Sequence, residues 1–386
     1  MPGKSPALIL AIAAWSTSCS TPPSLASPVP HATDIPTATA AVKSVDVCIA
    51  QPPETWTQAF QSHSIVLPTG TRFGLGAPTI SGQVAFGQFD TQSGSGIGSV
   101  DLSSGRMTRI ATWDTPVSGM GWMAVELPWV VWEQGNSPAN LSDWSVLAWN
   151  KDTGVTTTIA TSRLPDGSFL FGQPPLPALR HGLALWAQPL MRRSDYNEAE
   201  IHVRDLARGA DTVVATGRVG APVFAGRYLI WAQRDVGGGY SFQSANADTL
   251  RPTDLPARLR DPGPIVYVAG SPRYLAWSSD DSLGATVWAI DSGEFATYRA
   301  PDLNHSFQFM QLADHYLLYY GGTSSTVLDL ATGNGFDVAG SLAGSDQVIA
   351  KEEPSAPTTQ KAQAVSSRIS SVSLSAVGAI APCTRR

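Results

Sequence analysis

Charged side chains make up only 15% of this sequence, and no run of lysines or arginines occurs anywhere in it. With a formal net charge of −6, the chain offers no electrostatic footprint for nucleic acid. Cysteine is nearly absent, with three in 386 residues. The six histidines, His31, His63, His181, His202, His305 and His315, have no paired ligand spacing, so no metal centre is signalled. No glycine-rich loop follows a strand and opens a helix, and the glycines at 237–239 fall in a β loop, so no phosphate cradle is expected. A strand-to-helix serine elbow is also missing. Beyond the first twenty residues no apolar stretch is long enough to span a bilayer. No cofactor is expected from any of these patterns.

What is present is glycine (35), proline (29) and tryptophan (12). Many turn formers with many large rings indicate strands joined by tight loops rather than helices. At this length the chain can bury a large core as one all-β domain.

The first segment, MPGKSPALILAIAAWSTSC, has one cation, Lys4, and then an apolar run from Ala7 to Trp15. The run is too short for a stable span and fits the core of a signal peptide. It ends in Ser16-Thr17-Ser18-Cys19, which resembles a bacterial lipobox, in which small residues precede a cysteine that becomes lipidated. The position three before Cys19 is Ser16, where that motif usually has Leu. Ordinary cleavage near Ser18 or Ala26, leaving Cys19 incidental, is the alternative. Lipidation of Cys19 would leave one pair, Cys48 and Cys383, to form a disulfide in an oxidising compartment. That bond requires the two ends of the folded part to meet. Residues 20–45, rich in Pro, Thr, Ser and Ala, read as a flexible tether, and 46–386 as one folded domain. Membrane contact is therefore expected through a lipid anchor alone.

One sentence recurs along the folded part. QVAFGQFD (83–90), WVVWEQGN (129–136), LALWAQPL (183–190), YLIWAQRD (228–235), YLAWSSDD (274–281), YLLYYGGT (316–323) and QVIAKEEP (347–354) share a pattern: an apolar run ends in a ring and a polar loop follows. The ring is Phe86, Trp132, Trp186, Trp231, Trp277 and Tyr319, with Ala350 in the last copy. Spacing of roughly 45 residues is the period of propeller blades. A strand–turn–strand element follows most copies, opened by Asp or Asn and closed by Gly105, Gly154, Gly209, Gly293 or Gly333. The copy at 241–250 lacks the glycine, which makes its hairpin less certain. A third element of small residues precedes each ring strand and suits an inner strand crowded near an axis.

Four short antiparallel strands per repeat, stacked radially, give an all-β, seven-bladed β-propeller. The rings are expected to pack between adjacent blades, because one blade cannot cover its own apolar face. The last copy lacks its outermost strand, and HSIVLP (63–68), which precedes the first blade, can supply it. Six blades follow if the last copy is not a blade. The segment 351–363 reads as a loop within that copy. The turns VDLSSG (100–105) and LDLATG (328–333) resemble those of exported bacterial propellers of the TolB-like, WD40-like type, over about residues 76–340. The resemblance implies fold and export, and it carries no catalytic set.

The loops after the ring strands differ from copy to copy, and variable loops on one face of a rigid ring are where ligands are met. The candidate ligand- or partner-binding residues on them are Arg192, Asp195, Tyr196, Arg234, Asp235, Asp280 and Asp281. The expected role is a monomeric binding or interaction platform in the cell envelope, its partner an envelope protein or glycan. The alternative is an extracellular carbohydrate-active hydrolase or lyase, with acids at the channel mouth. Upward-shifted acids inside the channel would distinguish the second reading from the first. Trp122 and Trp144 stand outside the ring pattern. Trp122 is expected to fill core, while Trp144 is open between core and a sugar-stacking surface.

Overall fold

The computed structural model describes residues 42–113, 119–137, 140, 142–172, 174–190, 198–321, 324–353, 367–380 and 382–383. Its strands form seven sheets, and apart from three edge strands contributed by the N-terminal segment, two of them parallel, each sheet is antiparallel and ordered as its segments follow in the chain. The blades span 72–112, 119–161, 178–217, 219–253, 268–299, 308–338 and 342–373. The last is completed by Ser64–Val66, which pairs antiparallel with residues 368–370. The propeller is thus closed by strand exchange between the two ends of the chain, as the HSIVLP segment implies.

Hydrophobic clusters join every blade to the next. Phe86 packs with Trp132, Trp144 with Trp186, Leu185 with Trp231, Ile230 with Trp277, and Ala276 with Tyr319. Leu318 with Ile349 and Ala350 with Ala85 complete the circle. Each buried ring therefore stabilises two sheets at once, and removing one would cost about 3–5 kcal/mol. Trp132, Trp186, Trp231, Trp277 and Tyr319 all face the preceding blade. Phe86 and Ala350, aligned with them by sequence, face the following one. Side chains alternate along a strand, so a one-residue offset in blades 7 and 1 turns the same pattern to the other face. Trp144 is fully buried and belongs to the core between blades 2 and 3.

The outer hairpins repeat one device. In blades 1 to 4 and 6 the oxygen of Asp101, Asn150, Asp205, Asn246 or Asp329 accepts hydrogen bonds from backbone N–H groups two or three residues on. The closing residue has φ between 69° and 75° at Gly105, Gly154, Gly209, Gly293 and Gly333. The hairpin of blade 4 forms without the glycine, because Leu250 takes the same left-handed position at φ 56°. Its fourth strand shrinks to a bridge between Ala245 and Pro252. A β-carbon in that region costs roughly 1–2 kcal/mol, and Leu250 offsets part of it by packing on the cluster between blades 3 and 4.

The segment 42–66 does more than finish blade 7. Lys43–Asp46, the last residues of the expected tether, add a parallel strand to the outer edge of blade 5. Cys48–Ala50 does the same on blade 6. A helix, Glu54–Ser62, follows and buries Trp56 and Phe60, spaced four apart on one face. Trp56 sits edge-on to Tyr316 and Phe336, with ring centroids 5.3 and 5.1 Å away, and its indole N–H donates to the carbonyl of Gly378. Cys48 and Cys383 are bonded, their Cα atoms 6.1 Å apart across 335 positions of sequence. Among the described residues no helix is long and apolar enough to cross a membrane.

Candidate functional site at the channel mouth

Successive strands of a blade run in opposite directions, so the loops after the ring strands and the connections between blades share one face. The outer hairpins lie on the other. A recess of about 220 Å³ opens on the first face. It is lined by Leu75 of blade 1, Gly121 and Trp122 of blade 2, Phe309, Gln311 and Tyr320 of blade 6, and Leu342 of blade 7. Blades 2 and 6 are not neighbours, so a recess that touches both lies on the propeller axis. Tyr320 ends a ring strand and Ser325 begins the next one, which places the opening among the variable loops.

Three inner strands break their ladders where they reach this recess. The register shifts between Leu75 and Ile80, between Met120 and Trp122, and between Gln308 and Gln311. Phe309, inside the third break, holds a left-handed backbone at φ 44° without being glycine. Such bulges re-aim side chains near functional sites. Here they turn Trp122 and Phe309 toward the recess instead of into the packing between blades.

Two carboxyl groups lie behind the bulged backbone. Glu133, directly after Trp132, is 3% exposed and accepts a hydrogen bond from the Gly121 N–H. Burial pushes its pKa up to about 7, against the weaker opposing effect of that bond. A β-carbon at position 121 would lie 2.0 Å from Glu133 Oε2, so any larger residue there would make the carboxyl move from this position. Glu352 of blade 7, half-buried, takes the Leu75 N–H and the Ser367 hydroxyl, and burial again raises its pKa. Gln311 is 5% exposed, and its Nε2 donates to the Gly344 carbonyl at 2.6 Å. Its Oε1 has no hydrogen-bond partner, a cost of about 1–3 kcal/mol for a buried acceptor.

The four described loop residues expected from sequence also make local contacts. Asp235 accepts from the Gly239 N–H at 2.8 Å and organises its own turn. Asp281 accepts from the Ser279 hydroxyl at 2.5 Å and the Leu283 N–H at 2.9 Å, and these bonds, Ser279 first, lower its pKa. Asp280 accepts from the Asp281 N–H. The Arg234 guanidinium stands over the Tyr240 ring, 5.6 Å from its centroid. All four are on the loop face, in blades 4 and 5, and none lines the recess. Cys19, Arg192, Asp195 and Tyr196 lie outside the described residues, as does most of the 351–363 loop. Trp122 corrects an expectation: it is half-buried on the recess wall rather than core, because the bulge beside it flips its face. Glu133 was overlooked although its signal is visible in WVVWEQGN. Glu133 directly follows the apolar run and is still within the strand Trp129–Gly135, so its side chain can be drawn inside, where a buried acid is expensive. Among the described residues no cluster of His, Cys, Asp and Glu is arranged to hold a metal ion.

No protein-family model matches the chain, and no curated protein matches it in sequence. Among solved structures it is similar in fold to a prolyl endopeptidase, with a TM-score of 0.51 and 13% identity over 77% of this chain. This chain corresponds to 46% of the length of that enzyme. A chain of a nidogen–laminin complex is similar at a TM-score of 0.37 and 13% identity, over 61% of this chain and 93% of that one. At such identity the likeness to the endopeptidase establishes the seven-bladed β-propeller and nothing about activity.

Proposed function

We propose that the protein is an exported, lipid-anchored β-propeller that works as a binding platform in the cell envelope, meeting its partner with the loop face. The observation that carries this is the axial recess: bulged strands of separate blades converge on one opening, surrounded by the most variable loops of the chain. The lipobox-like Ser16-Thr17-Ser18-Cys19 and the Cys48–Cys383 bond support export and anchoring. Arg234, Asp235, Asp280 and Asp281 form the rim in this reading, Arg192, Asp195 and Tyr196 are further contact candidates from the sequence alone, and the partner is an envelope protein or glycan. Capture from envelope fractions tests it. The wild-type protein retains a partner and a variant carrying R234A, D235A and D281A loses it; equal retention by both contradicts a rim-mediated platform. The anchor is tested separately, since a fatty-acid probe labels the wild type and not C19A.

A second reading, a carbohydrate-active hydrolase, is favoured by the place of Glu133: its carboxyl lies directly behind Gly121 of the recess wall, and burial raises its pKa to about 7, where a carboxyl group can act as a general acid. Release of reducing ends from envelope polysaccharide, abolished in E133Q, would support it. Undiminished release by E133Q would rule out Glu133 as the acid.

A further inference from the structure

The recess has a chemistry of its own. Its wall presents aromatic rings that are not buried: Trp122 and Phe309 are half-exposed, and Tyr320 is 40% exposed. Tyr267 extends this surface, its ring 5.1 Å from that of Phe309. More deeply buried on the lining are uncharged polar groups, the Gln311 amide with its unpartnered Oε1 and the Ser325 hydroxyl, which donates to the Gly340 carbonyl and keeps its lone pairs as acceptors. Among the described residues no lysine or arginine lines the recess, so a carboxylate or phosphate would find no counter-charge from them there. A cation would find no carboxylate on the lining either, because Glu133 sits behind Gly121. Flat apolar faces over neutral donors and acceptors suit a molecule that is itself amphipathic, with C–H groups on one face and hydroxyls at the edge. The volume is below the roughly 300–1,000 Å³ of a drug-sized pocket, so one ring enters and the rest of the ligand lies outside.

We infer that the axial recess is a binding site for one residue of a neutral saccharide chain, stacked on Trp122 and Tyr320, with its hydroxyl groups reaching Gln311 and Ser325. This rests on the loop face being the binding face and names the ligand class for it. The bulges at Trp122 and Phe309 then have a purpose, since a regular ladder would return both rings to the packing between blades. A replaceable ring on the wall and a committed amide on the floor also divide the roles. The rings supply most of the affinity, and the amide sets which hydroxyl pattern is accepted.

The test uses the full mature protein and a panel of tetrasaccharides: cellotetraose, maltotetraose, chitotetraose and, as the charged control, tetragalacturonate. Calorimetric titration and tryptophan fluorescence are read for wild type, W122A and Y320A, with thermal unfolding as the control for folding. At least one neutral tetrasaccharide is expected to bind saturably. W122A should weaken that binding tenfold or more and Y320A several-fold, both with an unfolding midpoint close to wild type. Binding of the charged tetrasaccharide alone, binding unaffected by both variants, or no saturable binding by any neutral member overturns the proposal. If the saccharide site fails while envelope capture still depends on Arg234, Asp235 and Asp281, the platform stands and only this ligand assignment falls.

Discussion

The two faces of the ring treat their carboxyl groups in opposite ways. On the hairpin face, Asp101 is partly exposed and held by the Ser103 hydroxyl and by Ser104, which lower its pKa to about 2. On the loop side, Glu133 is sealed behind Gly121 and raised to about 7. The first acid is ionised and builds a turn that recurs with little change from blade to blade. The second stands where the ladders break. The hairpin face also carries the staple: Cys48 donates its backbone N–H to the carbonyl of Gly333, the closing residue of the blade 6 hairpin. Local rules hold on one face and fail on the other. Failures of local consistency concentrate where function needs them, so the difference separates the face that keeps the ring closed from the face proposed to bind.

The sharpest way to break that division is at the staple. Replacing Cys48 and Cys383 by serine is expected to lower stability by up to about 5 kcal/mol on the chain-entropy account of so long a loop. Denaturant unfolding measures the loss, and ligand capture by the remaining folded protein should be unchanged. A weaker folded protein that also fails to bind would mean that the faces are coupled.

Next in size is the pH dependence set by Glu133. Its pKa is higher folded than unfolded, so the folded protein holds a proton that the unfolded chain releases between about pH 4.5 and 7. Stability therefore falls as pH rises through that window, by about 3 kcal/mol in all. E133Q should remove the fall, matching wild type near pH 5 and exceeding it at pH 8 in thermal unfolding. Parallel curves for the two proteins would show that Glu133 is not buried as an acid.

Smaller still is the hairpin turn. G154A places a methyl group in open space but at φ 69°, and should cost about 1–2 kcal/mol without touching affinity. L250G is the smallest change: it relieves the same strain in blade 4 and gives up some packing, so stability should move by less than about 1 kcal/mol. A loss beyond 2 kcal/mol would show that the Leu250 contact, rather than the turn, holds that hairpin.

What could be read from the sequence follows from the range of the interactions involved. The rings at Trp132, Trp186, Trp231, Trp277 and Tyr319 and the Asx-to-Gly turns are local patterns, so they disclosed the blades. Ser64–Val66 could be placed because blade 7 visibly lacked a strand. Lys43–Asp46 and Cys48–Ala50 could not, since parallel pairing to the edges of blades 5 and 6 leaves no mark on two such short segments of sequence. The Trp56–Phe60 helix gave only a faint amphipathic signal in nine residues. At the site, acidic loop residues such as Asp235 and Asp281 are legible because they are polar, and the structure adds that they also organise their own turns. Glu133, Gly121 and Gln311 converge only through bulges, and a bulge is set by the ladder it interrupts rather than by its own residues.

Hydrogen–deuterium exchange of the full protein, with and without the tightest-binding neutral tetrasaccharide, tests the division of faces most directly. Protection is predicted at the bulged inner strands around Gly121 and Phe309, with the hairpin turns at Gly105, Gly154 and Gly293 unchanged. Protection gathered at those turns, with the inner strands exchanging as before, would contradict it.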